Sequence, residues 1–419
     1  MLRNYLKIAL AVLLRRRFLT FVNLFGAALT LTVLVVAFAI FDSFVSPAGA
    51  QHRQNQIVSI VRILLTGPNS ELVGGPGYKF YEGYAAPLET PDKVSFATTP
   101  NPTISYLDGR KVTSQLRRTD APYWEILDFD VLDGRVLQTD DIDQGRFVAV
   151  INETTANTYF PGESAIGKKI TAGGDSYEVV GVVADEAEIS RLAYSDIWVP
   201  LTTSQTYRDQ WILGGQIMLY VDDPSQRAAV QNEFKQALEG FVAADDPHRF
   251  DRAVSVAWTP LGMLASFIIG NMSSGFDDKF ADDRVPQFLA LAGAITLLFM
   301  ALPAINMANL NIGRMLERAP EIGLRKATGA SRLALTGQFI FENVVLCALG
   351  GLLAFAIAPL VLAYLNATLF TYGRLTLSAP VFVAGFIFIL IFGVLSGAYP
   401  AWKMARLEPA AALRGLQHA

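Results

Sequence analysis

The chain has 419 residues, 52% of them hydrophobic and only 17% charged, which is too apolar for an average soluble protein and too charged for a bare helix bundle. Its net charge of −4 conceals a division: residues 42–284 hold 20 Lys/Arg and 34 Asp/Glu, whereas 1–17 carry +5, 313–334 carry +3 and 400–419 carry +2. An acidic middle with short basic flanks argues against nucleic acid as a partner and for a membrane protein whose flanking charges set topology. The single cysteine, Cys347, lies in an apolar run, so no intrachain disulfide can form, and His52, His248 and His418 have no metal-ligand spacing.

Crossing a hydrocarbon core takes about 20 apolar residues. Four runs are long enough: 18–41, 285–313, 333–372 with Glu342 as its one charge, and 375–402. The basic residues before the first, between the second and third, and after the fourth belong on the cytoplasmic side, and four spans satisfy this without conflict. The predicted fold class is therefore a membrane protein with four transmembrane α-helices and an α+β extracytoplasmic domain inserted between helices 1 and 2. In chain order this gives a cytoplasmic segment 1–17, helix 18–41, the domain 42–284, helix 285–313, a cytoplasmic loop 314–334, helix 335–364, an outer loop 365–376, helix 377–400 and a cytoplasmic tail 401–419. Ala48-Gly49-Ala50 looks like a signal-peptidase site, but the 24 apolar residues before it exceed the roughly 7 to 15 of a signal peptide. The first run is read as a retained helix.

Within the domain, β-rich runs at 57–65, 147–151, 177–183, 197–200, 217–221 and 253–258 alternate with turn signals. Residues 224–242 read as an amphipathic helix, with Val230, Phe234, Leu238 and Phe241 three or four apart, forming a β-α-β return with the last two strands. Residues 261–272 are apolar but too short to span, and read as a helix on the domain or at the membrane surface.

Gly162 to Lys169 comes within one residue of the phosphate-binding loop, but Lys169 stands where the Mg²⁺-ligating hydroxyl belongs. It reads as a turn before a strand. Asp140, Asp141 and Asp143 lack the calcium-loop pattern and read as a solvated acidic turn. No nucleophile and base stand in a recognisable arrangement, so the sequence carries no catalytic signature.

In the loop 314–334, Pro320 suits a first helical position and Glu321 the positive end of the helix dipole. Arg325 and Lys326 suit the negative end, Gly329 can stop the helix in the left-handed conformation, and Ser331 can cap the next. This short helix is either a capped connector with topology charges or a docking surface for a cytoplasmic partner. Gln338, Glu342 and Asn343 form the strongly polar cluster of the third span, better suited to interhelical hydrogen bonding or headgroup contact than to a proton path. Gly393 and Gly397 make a G-x-x-x-G face in the fourth, for packing within the chain or against a second copy.

Several of these stretches resemble the MacB/FtsX-like permeases of ABC transporters. The segment from Glu317 to Ser331, then Gln338 to Glu342 and Gly350-Gly351, is similar to that family's cytoplasmic loop and third helix. Tyr399-Pro400-Ala401 through Pro409 to Arg414 resembles its C-terminal signature. Leu132 to Arg135, Tyr159 to Glu163, Ile166 to Lys168 and Val179 to Val183 are similar to the MacB-type periplasmic core domain.

The resemblance implies a permease subunit of a bacterial inner-membrane transporter, with the domain periplasmic or extracellular, paired with an identical or homologous permease and served by a separate ATPase subunit. ATP and Mg²⁺ would be bound by that partner, with no cofactor in this chain. Residues 320–328 would be the coupling helix, with Glu321, Arg325, Lys326 and Gly329 at the contact and Pro409 and Arg414 adding a second one. The implied mechanism is mechanotransmission, for efflux or extraction of an amphipathic peptide, antibiotic or lipoprotein, with a periplasmic adaptor as a further partner. The alternative is an FtsX-like regulator that transmits ATPase state to a periplasmic partner without transporting anything.

Overall fold

The computed structural model describes residues 17–45, 49–241 apart from 69, 108, 189 and 205, 250–270, 284–298, 331–369, 377 and 379–405, together with 301, 324 and 328. They fall into two units, one of helices from both ends of the chain and one covering Ser43–Leu289 with Leu369–Arg374.

The helical unit contains α1 (Arg17–Val45), α8 (Arg332–Leu369) and α9 (Ala379–Ala405). Segments Thr20–Asp42 and Leu335–Thr368 are each long and apolar enough to cross a membrane. The helix Val285–Leu298, labelled α7, is apolar but shorter within the described residues. Ala27 and Leu31 on α1 pack with Leu346, Cys347 and Ala354 on α8 and with Phe388 on α9. Small residues permit the close approach: a Cβ on Gly350 would lie 3.0 Å from that of Ala27, and one on Gly385 3.1 Å from Val35 Cγ2. Thr30 and Thr32 donate their hydroxyls to the Gly26 and Ala28 carbonyls one turn back, at 3.0 and 2.7 Å, so neither is orphaned in an apolar setting.

The other unit is α+β. Its larger sheet has ten strands: β1 (Ile57–Ile60), β4 (Lys93–Thr98), β5 (Asn101–Leu107), β6 (Arg110–Thr119), β7 (Val131–Gly134), β8 (Val148–Asn152), β9 (Lys169–Ala172), β10 (Asp175–Val183), β11 (Ile197–Pro200) and β12 (Gly215–Tyr220). The order is β1-β12-β4-β6-β11-β8-β10-β7, with β5 on β6 and β9 on β10. Pairs β6/β11 and β8/β10 are parallel and the others antiparallel. A second, antiparallel sheet joins β13 (Arg252–Ser255), β2 (Ile63–Gly67) and β3 (Ser70–Gly74). The short helices are α2 (Pro122–Ile126), α3 (Thr139–Asp143) and α4 (Glu153–Tyr159), and the longer ones α5 (Arg227–Glu239) and α6 (Pro260–Gly270).

Three apolar clusters hold the unit together. One packs Val230 and Phe234 of α5 against both sheets, another gathers Trp124, Phe129 and Trp198, and the third lies under β8 to β11 around Tyr177 and Val179. The strand predicted over 57–65 is two strands in different sheets, because β1 pairs with β12 while β2 pairs with β3 and β13. The β-α-β return is corrected in the same way: β12 and β13 flank α5 in sequence but lie in separate sheets. The acidic turn is not uniformly solvated either. Asp141 is fully buried, accepting from Arg135 at 2.5 and 3.1 Å and from the Gln138 N–H at 3.0 Å.

Asp120, two residues before α2, accepts from the Ser95 hydroxyl at 2.7 Å, the Phe96 N–H at 2.6 Å and the Tyr123 N–H at 3.1 Å. Burial nevertheless pushes its carboxyl from 3.8 up to about 6, against the opposing pull of those donors.

Candidate functional site

Near the start of the α+β unit, at Ala50, the chain is held by one acid. Glu186, on the connection between β10 and β11, accepts the Ala50 N–H at 2.8 Å. A Cβ on Gly49 would lie 2.7 Å from the Glu186 carboxylate, which would have to shift, and Gly49 has φ +53°, the left-handed backbone that favours glycine. The Ala50 carbonyl accepts the Asp128 N–H at 3.1 Å, holding the same residue from its other side. Burial pushes the Glu186 carboxyl above the usual carboxylate range, offset in part by the Ala50 N–H.

That connection is in turn gripped by the sheet. Arg117 on β6 is fully buried, and among the described residues no carboxylate pairs with it. Its guanidinium donates to the Leu192 carbonyl, to the Arg191 carbonyl at 2.8 Å and to the Tyr123 hydroxyl at 3.3 Å. The Tyr123 hydroxyl donates to the Leu192 carbonyl at 2.9 Å. A buried cation is tolerated here because carbonyl dipoles and a phenol replace its water. Asp196 closes the connection, accepting from the Gln115 N–H at 2.7 Å and from Asn152 at 3.2 Å. The exit segment, residues 184–196, and strands β6 and β8 thus form one hydrogen-bonded assembly.

In the helical unit, Asn343 donates to the Gly393 carbonyl at 2.9 Å, an interhelical bond from α8 to α9. A Cβ on Gly393 would meet Val344 Cα at 3.0 Å and Cys347 Cβ at 3.3 Å, so this glycine packs within the chain. Gln338 donates to Glu342 at 3.0 Å one turn along α8. Gly397 lies on α9 four residues beyond Gly393. Glu321, Arg325, Lys326, Gly329, Pro409 and Arg414 lie outside the described residues. Of the predicted short helix, Leu324 and Thr328 are described, and the Thr328 N–H donates to the Leu324 carbonyl at 3.0 Å. Ser331 precedes α8, its carbonyl accepting the Leu335 N–H at 3.2 Å.

The phosphate-loop lookalike is occupied by its own side chains. Lys168 pairs with Glu163 and sits 4.9 Å over the Phe160 ring, while Gly162 and Gly167 take positive φ. No group of three potential metal ligands occurs among the described residues.

A family model for the MacB-like periplasmic core domain matches residues 20–237, and one for the FtsX-like permease C-terminal region matches 293–409. The chain belongs to the MacB/FtsX-type family of ABC transporter permeases, and its α+β unit is the family's periplasmic domain. It is 28% identical over 402 residues to the "Macrolide export ATP-binding/permease protein MacB" of Azoarcus sp. (strain BH72), covering 93% of this chain and 57% of that protein. The chain thus spans a little over half the length of that relative. It is 27% identical over 302 residues to the "Uncharacterized ABC transporter permease YvrN" of Bacillus subtilis (strain 168), covering 72% of this chain and 70% of that one. Among solved structures, the periplasmic region of MacB from Actinobacillus actinomycetemcomitans matches 53% of this chain and 94% of its own, at 17% identity and a TM-score of 0.37.

Proposed function

We propose that the chain is the permease subunit of a MacB-type transporter. Four helices cross the inner membrane with both termini cytoplasmic, along the boundaries given by the sequence. A separate ATPase subunit binds ATP and Mg²⁺ and docks on the helix 320–328 through Glu321, Arg325 and Lys326, with Gly329 ending that helix. Pro409 and Arg414 add a second contact. A second permease, identical or homologous, completes the pair, and a periplasmic adaptor extends it.

ATP-driven closure of the ATPase pair moves the cytoplasmic helix ends, and the periplasmic domain changes shape in response. The observation that carries this reading is the Glu186–Ala50 bond. An exit segment loosely tethered to its domain would dissipate a displacement of α1, whereas one bonded to a connection that Arg117 and Asp196 tie to the sheet passes it on. The substrate class is an amphipathic peptide, antibiotic or lipoprotein. The match to the periplasmic core domain favours transport over the purely regulatory alternative.

The test is co-purification from mild detergent. Charge reversal at Arg325 and Lys326 is expected to abolish recovery of an ATPase subunit at unchanged membrane levels of the permease. Unchanged recovery would reject the docking helix.

A further inference from the structure

The α+β unit contains a cleft of about 530 Å³, a size that suits a small amphiphile. Its apolar wall is Pro260 and Leu261 at the start of α6 and Val285 and Pro286 at the start of α7. Asn55 and Arg227 supply the polar rim. The Arg227 Nε donates to the Pro224 carbonyl at 2.9 Å, and among the described residues no carboxylate pairs with the guanidinium. The nearby Asp223 carboxylate instead accepts from the Ser225 N–H and hydroxyl at 2.9 and 2.7 Å. In a domain with 34 Asp/Glu against 20 Lys/Arg, Arg227 sets a positive charge beside an apolar wall. Two further features place an amphiphile within reach. The wall residues Val285 and Pro286 open the helix read above as the second membrane span. The adjoining α6 has 11 residues, too few to span, and leaves Ile268 37% exposed, as befits a helix resting on a membrane surface.

We propose that this cleft binds one anionic phospholipid of the outer leaflet, an acyl chain lying along Leu261 and Val285 and the phosphate held by Arg227. Guanidinium matches phosphate in geometry as well as charge, which an ammonium does less well. The site goes beyond ATPase coupling and rests only on the reading of α7 as a membrane span.

The test uses the full chain in nanodiscs of mixed phosphatidylcholine and phosphatidylglycerol. A phosphatidylglycerol carrying a diazirine in its acyl chain is photolysed, and adducts are mapped by mass spectrometry. Adducts are expected on the peptides holding Leu261 and Val285, with membrane-helix peptides as the internal control. Arg227→Glu is expected to lower labelling of the cleft about tenfold, the loss of one charge-assisted contact, while Arg227→Lys retains most of it. Equal labelling by a phosphatidylcholine probe, or labelling unchanged in Arg227→Glu, would overturn the proposal. So would benzoylphenylalanine at Leu261 crosslinking to protein, a second copy included, instead of to lipid. ATPase co-purification reads out the proposed function separately, so either can fail without the other.

Discussion

The Glu186 carboxylate accepts the Ala50 N–H at 2.8 Å and fills the space a side chain at position 49 would need. Residues 136 apart in sequence thereby hold the chain near the start of the α+β unit. Gly49→Ala is expected to destabilise the domain by about 1–3 kcal/mol, because alanine meets a left-handed backbone and the carboxylate must shift to admit it. Thermal unfolding of the full chain in detergent measures this. Glu186→Gln keeps an acceptor for Ala50 and is expected to restore most of what Glu186→Ala loses.

Arg117 is the second prediction. Arg117→Ala removes the donor to the carbonyls of Arg191 and Leu192 and opens a cavity beside Tyr123, for a loss of about 3–5 kcal/mol in denaturant unfolding. Arg117→Lys keeps the charge but not the planar fork, and is expected to recover only part of it.

A third concerns pH. The folded-state pKa of Asp120 is raised from 3.8 to about 6, so the folded state binds a proton that the unfolded chain has released. Its contribution is most favourable below its ordinary pKa and is lost as pH rises through about 6. The stability difference between wild type and Asp120→Asn should therefore shift against the wild type between pH 4 and 7. A difference independent of pH would remove the burial argument.

In the helical unit, Asn343→Ala deletes the bond to the Gly393 carbonyl and is expected to cost about 0.6–1.7 kcal/mol. Gly393→Leu, which drives a side chain into Val344 and Cys347, should cost more. Steric-trap or thermal unfolding in detergent ranks the two.

Much of the architecture was legible because hydrophobic period and length are local properties. The apolar runs, the strand Ile197–Pro200 and the helix around Val230 and Phe234 all carry their own signal. What escaped was long-range. The run 57–65 is apolar throughout, and only its partners, β12 for one half and β3 for the other, divide it between sheets. On β5, Thr103 and Ser105 point inward while Ile104 and Tyr106 are exposed, an inversion of the usual alternation. Nothing local marks Arg117 as buried, because the carbonyls that solvate it come from residues 74 and 75 positions away. Gly49 did leave a trace, but in a triplet shaped like a peptidase site; its physical reason is a positive φ against Glu186.

The central claim is that ATPase state reaches the periplasmic domain through the membrane helices. Pulsed electron resonance between spin labels at the exposed Arg110 of paired permeases, in the complex with its ATPase, tests it most directly. The label distance is expected to change between ADP and trapped ATP, and not to change when Arg325 and Lys326 are reversed in charge. One distance in both nucleotide states, with the ATPase bound and active, would contradict it.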